Sequence, residues 1–366
     1  MKNMLTRNPS VTPPHSVRIG SMVALLAAAG AVQTAHAGGV VRAWGSNSDG
    51  QRNVPTDLGA CTAVAAGWSH SLAVRQDGGV RAWGNNSYGQ CTVPTDLGKC
   101  TAVSTGAGHS LALRQDGGVR AWGDNFNGQL NVPSDLGGCT AVAAGEYHNL
   151  ALRGDGGVRA WGANSWGQCT VPTDLGACTA VAAGYYHSLA LRGDGGVRAW
   201  GWNYYGERDV PTDLGPCTAV AAGNFHNLAV RQDGGVRAWG NNEYGQCNVP
   251  TDLGACTAVA GGYGHSLALR QDGSVRAWGL NDVGQCTVPT DLGACTAVAG
   301  GGLHSLALTD PLDSNHNGIL DSVEIATLTT ANTAFTAQLN CGDLDGDGAV
   351  NGADLGKVLI GWGQCQ

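Results

Sequence analysis

The chain has 366 residues, of which 59 are Gly, 13 are Cys and only 13% are charged. This Gly content excludes a long helical bundle, because Gly destabilises helices, and a hydrophobic content of 43% is too high for a disordered chain. The net charge of -8, with only three Lys, excludes the basic surface that binds nucleic acid. The many Cys indicate an oxidising compartment or a metal site.

Residues 1–37 have the pattern of a secretory signal peptide. Basic residues precede a short apolar run over 22–32, and Ala35-His36-Ala37 fits a small-residue cleavage site. An apolar run of 11 residues is too short to cross a bilayer as a helix. The pattern predicts a protein that is secreted, periplasmic or at the cell surface after cleavage near Ala37.

Residues 38–310 consist of seven copies of a 39-residue unit, the last of them incomplete. Trp recurs with this period from Trp44 to Trp278, and His recurs from His70 to His304. Each unit offers three strand-like segments, CTAVAAG, HSLAL and VRAWG, with a DGG hairpin turn between the last two. A VP pair before TDLG is interpreted as a fourth, outer strand. The period and the short strands predict an all-β, seven-bladed β-propeller.

The seventh unit lacks its last strand, because no VRAWG follows His304 to Leu308. A matching segment stands at the other end of the repeats, at Val40 to Trp44. Pairing of these two segments closes the ring and removes two exposed sheet edges. We therefore expect a circularly closed propeller.

The units WGxNxxGQ and GxxHSLAL resemble the repeat of the regulator of chromosome condensation family, and the resemblance covers residues 38–310. Within that family the units are most similar to those of secreted β-lactamase inhibitors. The nuclear members of the family are nucleotide-exchange factors for a small GTPase. The resemblance therefore also implies an exchange-factor activity, which the predicted secretion disfavours.

Residues that are the same in every unit are interpreted as parts of the scaffold. The repeated His and Trp belong to this group, because catalysis needs one distinct constellation rather than seven equal ones. The repeated Arg of VRAWG and Asp of TDLG are interpreted as ties between blades and as turn caps. No nucleophile–base pair stands out from the repeats, so the chain is not predicted to be an enzyme.

The positions that vary between units lie in two loops, one after WG and one before His. Strand direction places both loops on one face, and rigid aromatic side chains on loops are typical of recognition surfaces. The alternative interpretation is that the rings only pack against neighbouring loops. The predicted ligand-binding residues are Trp68, Tyr88, Phe126, Tyr147, Trp166, Tyr185, Tyr186, Trp202, Tyr204, Tyr205, Phe225, Tyr244 and Tyr263.

The densest aromatic group lies in the fourth and fifth units, from Tyr185 to Tyr205, and is the predicted hot spot. Glu207 and Arg208 follow it and are interpreted as a polar rim. The variable loops carry seven acidic and two basic side chains, which makes the face mildly acidic and disfavours nucleic acid.

Seven Cys precede TAV, and in four units a second Cys lies nine residues earlier. A hairpin turn at TDLG would place the two at disulfide distance. The predicted bridges are Cys91–Cys100, Cys169–Cys178, Cys247–Cys256 and Cys286–Cys295, and Cys61, Cys139 and Cys217 are predicted to be buried thiols. The alternative is that the Cys before TAV is only a small apolar residue.

Residues 311–366 differ in composition and carry two calcium-loop patterns, which predict a small α-helical calcium-binding tail. The first pattern fits the EF-hand loop, with ligands at Asp313, Asn315, Asn317, Ile319, Asp321 and Glu324. The second resembles a dockerin type I repeat, with ligands at Asp343, Asp345, Asp347, Ala349, Asn351 and Asp354. Gly352 and Ala353 stand where many dockerins have a Ser/Thr pair, and Cys341 and Cys365 are predicted to form a fifth disulfide.

These patterns together predict a secreted, monomeric, non-enzymatic recognition protein that binds a protein partner through its aromatic face and calcium through its tail. A glycan-binding or dockerin-mediated attachment protein is the first alternative, because Trp and Tyr also stack on sugars. An exchange-factor-like regulator is the second alternative.

Overall fold

The computed structural model describes residues 38–309, and all regular secondary structure in that range is β-strand. The strands are β1 Val41–Gly45, β2 Cys61–Ala66, β3 His70–Arg75, β4 Val80–Gly84, β5 Cys100–Thr105, β6 His109–Arg114, β7 Val119–Gly123, β8 Cys139–Ala144, β9 His148–Arg153, β10 Val158–Gly162, β11 Cys178–Ala183, β12 His187–Arg192, β13 Val197–Gly201, β14 Cys217–Ala222, β15 His226–Arg231, β16 Val236–Gly240, β17 Cys256–Gly261, β18 His265–Arg270, β19 Val275–Gly279, β20 Cys295–Gly300 and β21 His304–Thr309. The predicted signal peptide, the calcium ligands of the tail, Cys341 and Cys365 lie outside the described residues.

Each repeat forms an antiparallel three-stranded sheet whose strands differ in burial. The middle strand β3 is buried at five of its six positions, because sheets pack against both of its faces. The inner strand β2 is rich in Ala and lines a central channel, whereas the outer strand β4 buries only Trp83. The HSLAL, CTAVAAG and VRAWG segments therefore differ in sequence because they face different surroundings.

Seven such sheets are present within residues 38–309. Six of them use three consecutive strands, and the remaining sheet has the order β1-β21-β20. In that sheet Val41 pairs with Leu308 and Gly45 with His304, so the predicted pairing of the first strand with the last is confirmed. The inner strand β2 then packs on β20 and β21, which closes the ring of sheets.

The hydrophobic core is divided into clusters between neighbouring sheets. In one cluster Leu72 and Val74 of the first sheet pack against Cys100, Ala112 and Trp122 of the next. The same arrangement recurs at each boundary between adjacent sheets. Each sheet is therefore stabilised by two neighbours, and no sheet buries its apolar faces alone.

The fourth, outer strand predicted at the VP pair does not form, and each sheet has three strands. The segment after β1 folds as turns, in which the amide of Leu58 donates to the carbonyl of Pro55 at 3.1 Å. This turn carries the Leu58 side chain into the core, where it is 3% exposed. Pro55 cannot donate a backbone hydrogen bond, which favours the turn over a paired strand.

The four disulfides predicted within the units do not form, and none of the eleven Cys within residues 38–309 is in a disulfide. Cys91 donates its thiol to the carbonyl of Asn85 at 3.1 Å, whereas the thiol of Cys100 points to the carbonyl of Gly98 at 3.7 Å. The predicted hairpin is replaced by turns, so the two sulfurs face different neighbours. The disulfide prediction was therefore wrong for each of its four pairs: Cys91 and Cys100, Cys169 and Cys178, Cys247 and Cys256, and Cys286 and Cys295.

Burial keeps these thiols protonated. It raises the pKa of Cys91 to about 11 and that of Cys169 to about 12. Since the thiolate is the nucleophile and the metal ligand, such thiols are unreactive near neutral pH. Cys100 packs in a core cluster, as the alternative interpretation of a small apolar residue requires.

Candidate functional site

The repeated His residues connect neighbouring sheets through a closed circle of buried hydrogen bonds. His70 Nε2 lies 3.1 Å from Ser110 Oγ of the next sheet, and His304 Nε2 lies 3.0 Å from Ser71 Oγ of the first sheet. The remaining links are His109–Asn149, His148–Ser188, His187–Asn227, His226–Ser266 and His265–Ser305. We call this circle the His ring, and its repetition at every boundary makes it part of the scaffold.

The hydrogen-bond partners define which His nitrogen carries the proton. Ser71 donates its hydroxyl hydrogen to the carbonyl of Gln51 at 2.9 Å, and the same carbonyl accepts from the indole of Trp83. The hydroxyl oxygen of Ser71 is then an acceptor, so His304 Nε2 must donate. The other ring nitrogen, Nδ1, has no hydrogen-bond partner at any of the seven described positions.

The imidazoles of the His ring are uncharged, because they are buried and their Nδ1 atoms have no hydrogen-bond partner. Burial lowers the pKa of His70 to about 3 and that of His109 to about 4. Gly67 lies directly against the His70 ring, because a Cβ at Gly67 would be 2.5 Å from the Cε1 atom. A proton added at Nδ1 would therefore be buried without an acceptor, which is costly.

A second closed circle surrounds one end of the central channel. The residue two positions before each His donates its backbone N–H to a carbonyl of the adjacent sheet, as Glu146 does to Gly184 at 3.1 Å. These residues form the mouth ring: Trp68, Ala107, Glu146, Tyr185, Asn224, Tyr263 and Gly302. The channel below has a cavity volume of about 150 Å³ and is lined mostly by Ala and Gly of the inner strands.

The structure brings both variable loops together at this end, as predicted. Eight of the predicted ring residues form one continuous set of ring contacts, which we call the aromatic cluster: Tyr147, Trp166, Tyr185, Tyr186, Trp202, Tyr204, Tyr205 and Phe225. Trp68, Tyr244 and Tyr263 form a smaller group. Tyr88 and Phe126 make no ring contact with either group within the described chain.

The rings of the aromatic cluster pack on one another and are partly exposed. Trp166 and Trp202 meet edge to face with ring centroids 4.0 Å apart, and Trp202 is half-buried. Tyr204 stacks on Trp202 at 6.0 Å and is 72% exposed, whereas Tyr205 is 43% exposed. Ring packing and exposure therefore occur in the same cluster, and the packed rings hold the exposed ones in fixed positions.

Glu146 is the acidic member of the mouth ring. Its Oε2 accepts a hydrogen bond of 2.9 Å from the amide of Asn224, which comes from a sheet two places along the ring. Burial raises the pKa of Glu146 to about 8, and the Asn224 hydrogen bond opposes this shift. In the sequence Glu146 is one of seven acids in the variable loops, and only the inter-sheet contacts show that it faces the channel.

Glu207 is buried and does not belong to a polar rim. It is 0% exposed, replaces the Gln found at this position in the other units, and accepts from the amide of Tyr205 at 2.9 Å. Its Oε1 has no hydrogen-bond partner, and burial raises its pKa. In a neighbouring unit Gln246 donates to Asn241 at 2.7 Å, but Trp202 occupies the position of Asn241 in the fifth unit. The Gln-to-Glu change was visible in the sequence, and its burial was not.

Six segments of the chain match the family model described as the regulator of chromosome condensation (RCC1) repeat, at residues 61–90, 100–129, 139–168, 178–207, 217–246 and 256–285. The chain is an RCC1-repeat β-propeller. The sheet completed by β1 lies outside the matched segments, since its repeat is split between the two ends of the described chain.

Solved structures share the architecture of this RCC1-repeat propeller. Human WBSCR16 is 21% identical, with a TM-score of 0.64 over 74% of this chain and 99% of that chain. Prp20p from Saccharomyces cerevisiae is 19% identical, with a TM-score of 0.67 over 82% of this chain and 97% of that chain. Yeast RCC1 (Prp20) in a complex with Kap60 gives the same identity and TM-score over 86% and 98%. These likenesses show the fold alone, and no curated protein matches the sequence.

The repeated titratable groups of the RCC1-repeat propeller are held uncharged by burial. The buried His are neutral and engaged between sheets, and the described thiols are protonated. Within residues 38–309 no group of three His, Cys, Asp or Glu side chains is placed to hold a metal ion. In the same range no helix is long and apolar enough to span a membrane. What distinguishes one unit from another is the aromatic cluster and two acids, the half-buried Glu146 and the buried Glu207.

Proposed function

We propose that this RCC1-repeat propeller is a non-enzymatic recognition protein, a closed seven-bladed scaffold that binds a protein partner through the aromatic cluster. The observation that carries the proposal is the continuous ring packing of Trp166, Trp202 and Tyr204, in which Trp166 is 49% and Tyr204 72% exposed. Rigid Trp and Tyr residues dominate binding energy at protein interfaces, at about 2 kcal/mol or more for each anchoring ring.

Solved relatives support a protein as the partner. The structure of yeast Prp20p is described with its binding to Gsp1p and histones, and the second yeast structure contains Kap60. Exchange activity on a GTPase, which the family resemblance implies, is the second candidate function. The similarity in fold to the yeast RCC1 structures is equally consistent with this activity. A nucleotide-release assay with a purified small GTPase separates an exchange factor from a protein that only binds.

The experiment that tests the proposal is affinity capture from culture medium with the immobilised mature protein, followed by quantitative mass spectrometry. The double variant Tyr204→Ala/Tyr205→Ala should lose a specific protein that the wild type retains. Its affinity for that protein should fall at least about tenfold, while its melting temperature stays nearly unchanged. Asp194→Ala, in a DGG turn at the other end of the strands, should bind as the wild type does.

Two outcomes would contradict the proposal. One is equal capture by the wild type and the double variant, and the other is unfolding of the double variant, which would make these rings part of the core. Tyr88→Ala provides a graded comparison, because Tyr88 is 64% exposed but stands outside the cluster. Loss of one exposed ring there should cost less affinity than loss of the paired rings.

We also propose, from sequence patterns alone, that the protein is exported and that residues 311–366 bind calcium. Export predicts a mature N-terminus at Gly38, which N-terminal sequencing of secreted protein would detect. Calcium binding predicts heat on titration of the full chain with calcium, and Asp313→Ala with Asp343→Ala should abolish it. A dockerin-like attachment role would additionally require a cohesin-type partner.

A further inference from the structure

The mouth ring leaves an asymmetric opening into the central channel. Ala107 and Gly302 contribute almost no side chain to it, whereas Glu146 and Asn224 project polar groups. Glu146 is the one charged residue among the described residues that line the cavity. The volume of about 150 Å³ is roughly ten times what a single water needs, so a side-chain head group fits within it.

The surroundings of Glu146 suit a planar organic cation. The amide of Asn224 occupies Oε2, and the other carboxyl oxygen has no hydrogen-bond partner within residues 38–309. The rings of Tyr147, Tyr185 and Tyr186 lie close enough to influence one another and to feel the charge of Glu146. Faces of Tyr rings attract cations, and guanidinium stacks on them more readily than ammonium because it is less strongly hydrated.

The charge of the variable face also favours a cation. Asp49, Asp124, Glu243 and Asp282 belong to its loops, and one of its two Arg residues, Arg52, donates its guanidinium to the carbonyl of Gly45. A surface of one dominant sign steers ligands of the opposite sign towards a recessed site. A neutral sugar would gain nothing from this field, and an anionic one would be repelled.

We propose that the mouth of the central channel is a receptor site for the guanidinium group of an Arg side chain on the partner protein, with Glu146 as its counter-ion. This inference rests on the proposed function, since it names the chemistry that the partner presents beside the aromatic cluster. A guanidinium donates from several N–H groups in one plane, which matches a carboxylate with one free oxygen in an opening of small residues.

Binding of a cation at this site should release a proton from Glu146. The titratable groups that interact with the charge of Glu146 are the Tyr147, Tyr185 and Tyr186 hydroxyls, whose pKa values are raised by burial. None of these changes charge near neutral pH. Glu146, with a pKa near 8, is largely protonated there in the free protein, so a bound cation should release its proton.

The test is isothermal titration calorimetry of the mature protein with a short peptide whose one charged side chain is an Arg. The control is the same peptide with uncharged citrulline in place of the Arg. The Arg peptide should bind at least about tenfold more tightly than the citrulline peptide, or 1.4 kcal/mol. Glu146→Gln keeps an acceptor for Asn224 and should reduce Arg binding to the citrulline level. In buffers of different ionisation enthalpy, the wild type should release protons on binding and Glu146→Gln should not.

Asp194→Asn makes the same change of charge at the opposite end and should alter the affinity less than about twofold. Equal binding of both peptides, unchanged binding by Glu146→Gln, or binding of a neutral oligosaccharide in preference to the Arg peptide would overturn the inference. The two proposals fail separately. If the Tyr204→Ala/Tyr205→Ala variant still captures the partner and still binds the Arg peptide, only the proposed function is overturned. If the wild type captures a partner through these rings but does not bind the Arg peptide, only the inference is overturned.

Discussion

The two ends of the propeller are built from the same strands but are stabilised by different contacts. At the end that carries the DGG and TDLG turns, one ion pair recurs at every boundary, as between Arg120 and Asp96 at 2.8 Å. All ion pairs found within residues 38–309 lie at that end. At the other end the ion pairs are replaced by ring contacts, most of which join three consecutive sheets.

This difference separates what the scaffold requires from what one binding site requires. The Arg–Asp pairs are exposed and identical from unit to unit, so none of them distinguishes one sheet from another. The aromatic cluster and the mouth ring break the sevenfold repetition, because Glu146 and Glu207 each occur once among equivalent positions. Recognition needs such asymmetry, whereas ring closure needs uniformity.

The largest effect should come from opening the ring. Deletion of residues 38–45 removes β1, its buried Val41 and Trp44, and the partner edge of β21. We expect severe loss of thermal stability, because the edge of β21 becomes exposed and a core cluster loses its outer strand. Circular dichroism melting measures this, and an unchanged melting curve would show that closure does not stabilise the scaffold.

Acid should unfold the uniform scaffold cooperatively. The His pKa values of about 3 to 4 in the folded state lie below the ordinary value of 6.5, so the unfolded chain binds more protons in between. The contribution of the neutral His ring to stability is therefore fully present above about pH 6.5 and is lost as the pH falls through about 4. With seven equivalent His the slope approaches roughly 9 kcal/mol per pH unit, against a total stability of about 5–15 kcal/mol.

Melting temperatures measured from pH 8 to pH 4 check this expectation. Glu146 acts in the opposite direction, because its folded pKa of about 8 exceeds its ordinary value of 4.5. Its contribution is present at low pH and is lost between about pH 4.5 and pH 8, so Glu146→Gln should flatten the alkaline side of the profile. A melting temperature that stays constant down to pH 4 would contradict the neutral His ring.

A single methyl group should disturb the His ring. Gly184→Ala places a Cβ 2.1 Å from Cε1 of His187 and 2.7 Å from the carbonyl of Gly223, so both must move. Overpacking of this kind costs about 1–3 kcal/mol, or several degrees in melting temperature for a domain of this size. Gly138→Ala is the matched control, because nothing lies within 4 Å of its added Cβ. Equal melting temperatures of the two variants would show that the contact at Gly184 relaxes freely.

The smallest effect is expected at the ion-paired end. Asp96→Asn removes the carboxylate that faces Arg120, and both side chains are largely exposed, at 72% and 42%. Exposed pairs contribute about 0–1 kcal/mol, so the melting temperature should change by no more than a few degrees, and less at high salt. A large loss of stability would mean that this end carries more of the scaffold's stability than the contacts suggest.

The sequence alone determined the repeat, its three strands, the pairing of β1 with β21 and the end on which the variable loops meet. These follow from local patterns and from strand direction, which a fixed period of 39 residues makes unambiguous. The outer VP strand and the Cys91–Cys100 hairpin failed for a common reason. Both assumed pairing within a unit, whereas Leu58 and Cys100 are directed by packing between units.

Only the tertiary structure decided which loop residues face the channel and which are buried. Glu146 and Glu207 look alike in sequence, as acids in variable loops, yet one lies on the mouth ring and the other is fully buried. Burial of a side chain depends on neighbours that come from adjacent sheets, such as Asn224 for Glu146. Such neighbours are far apart along the chain, so periodicity places the residue on a face but does not show what surrounds it.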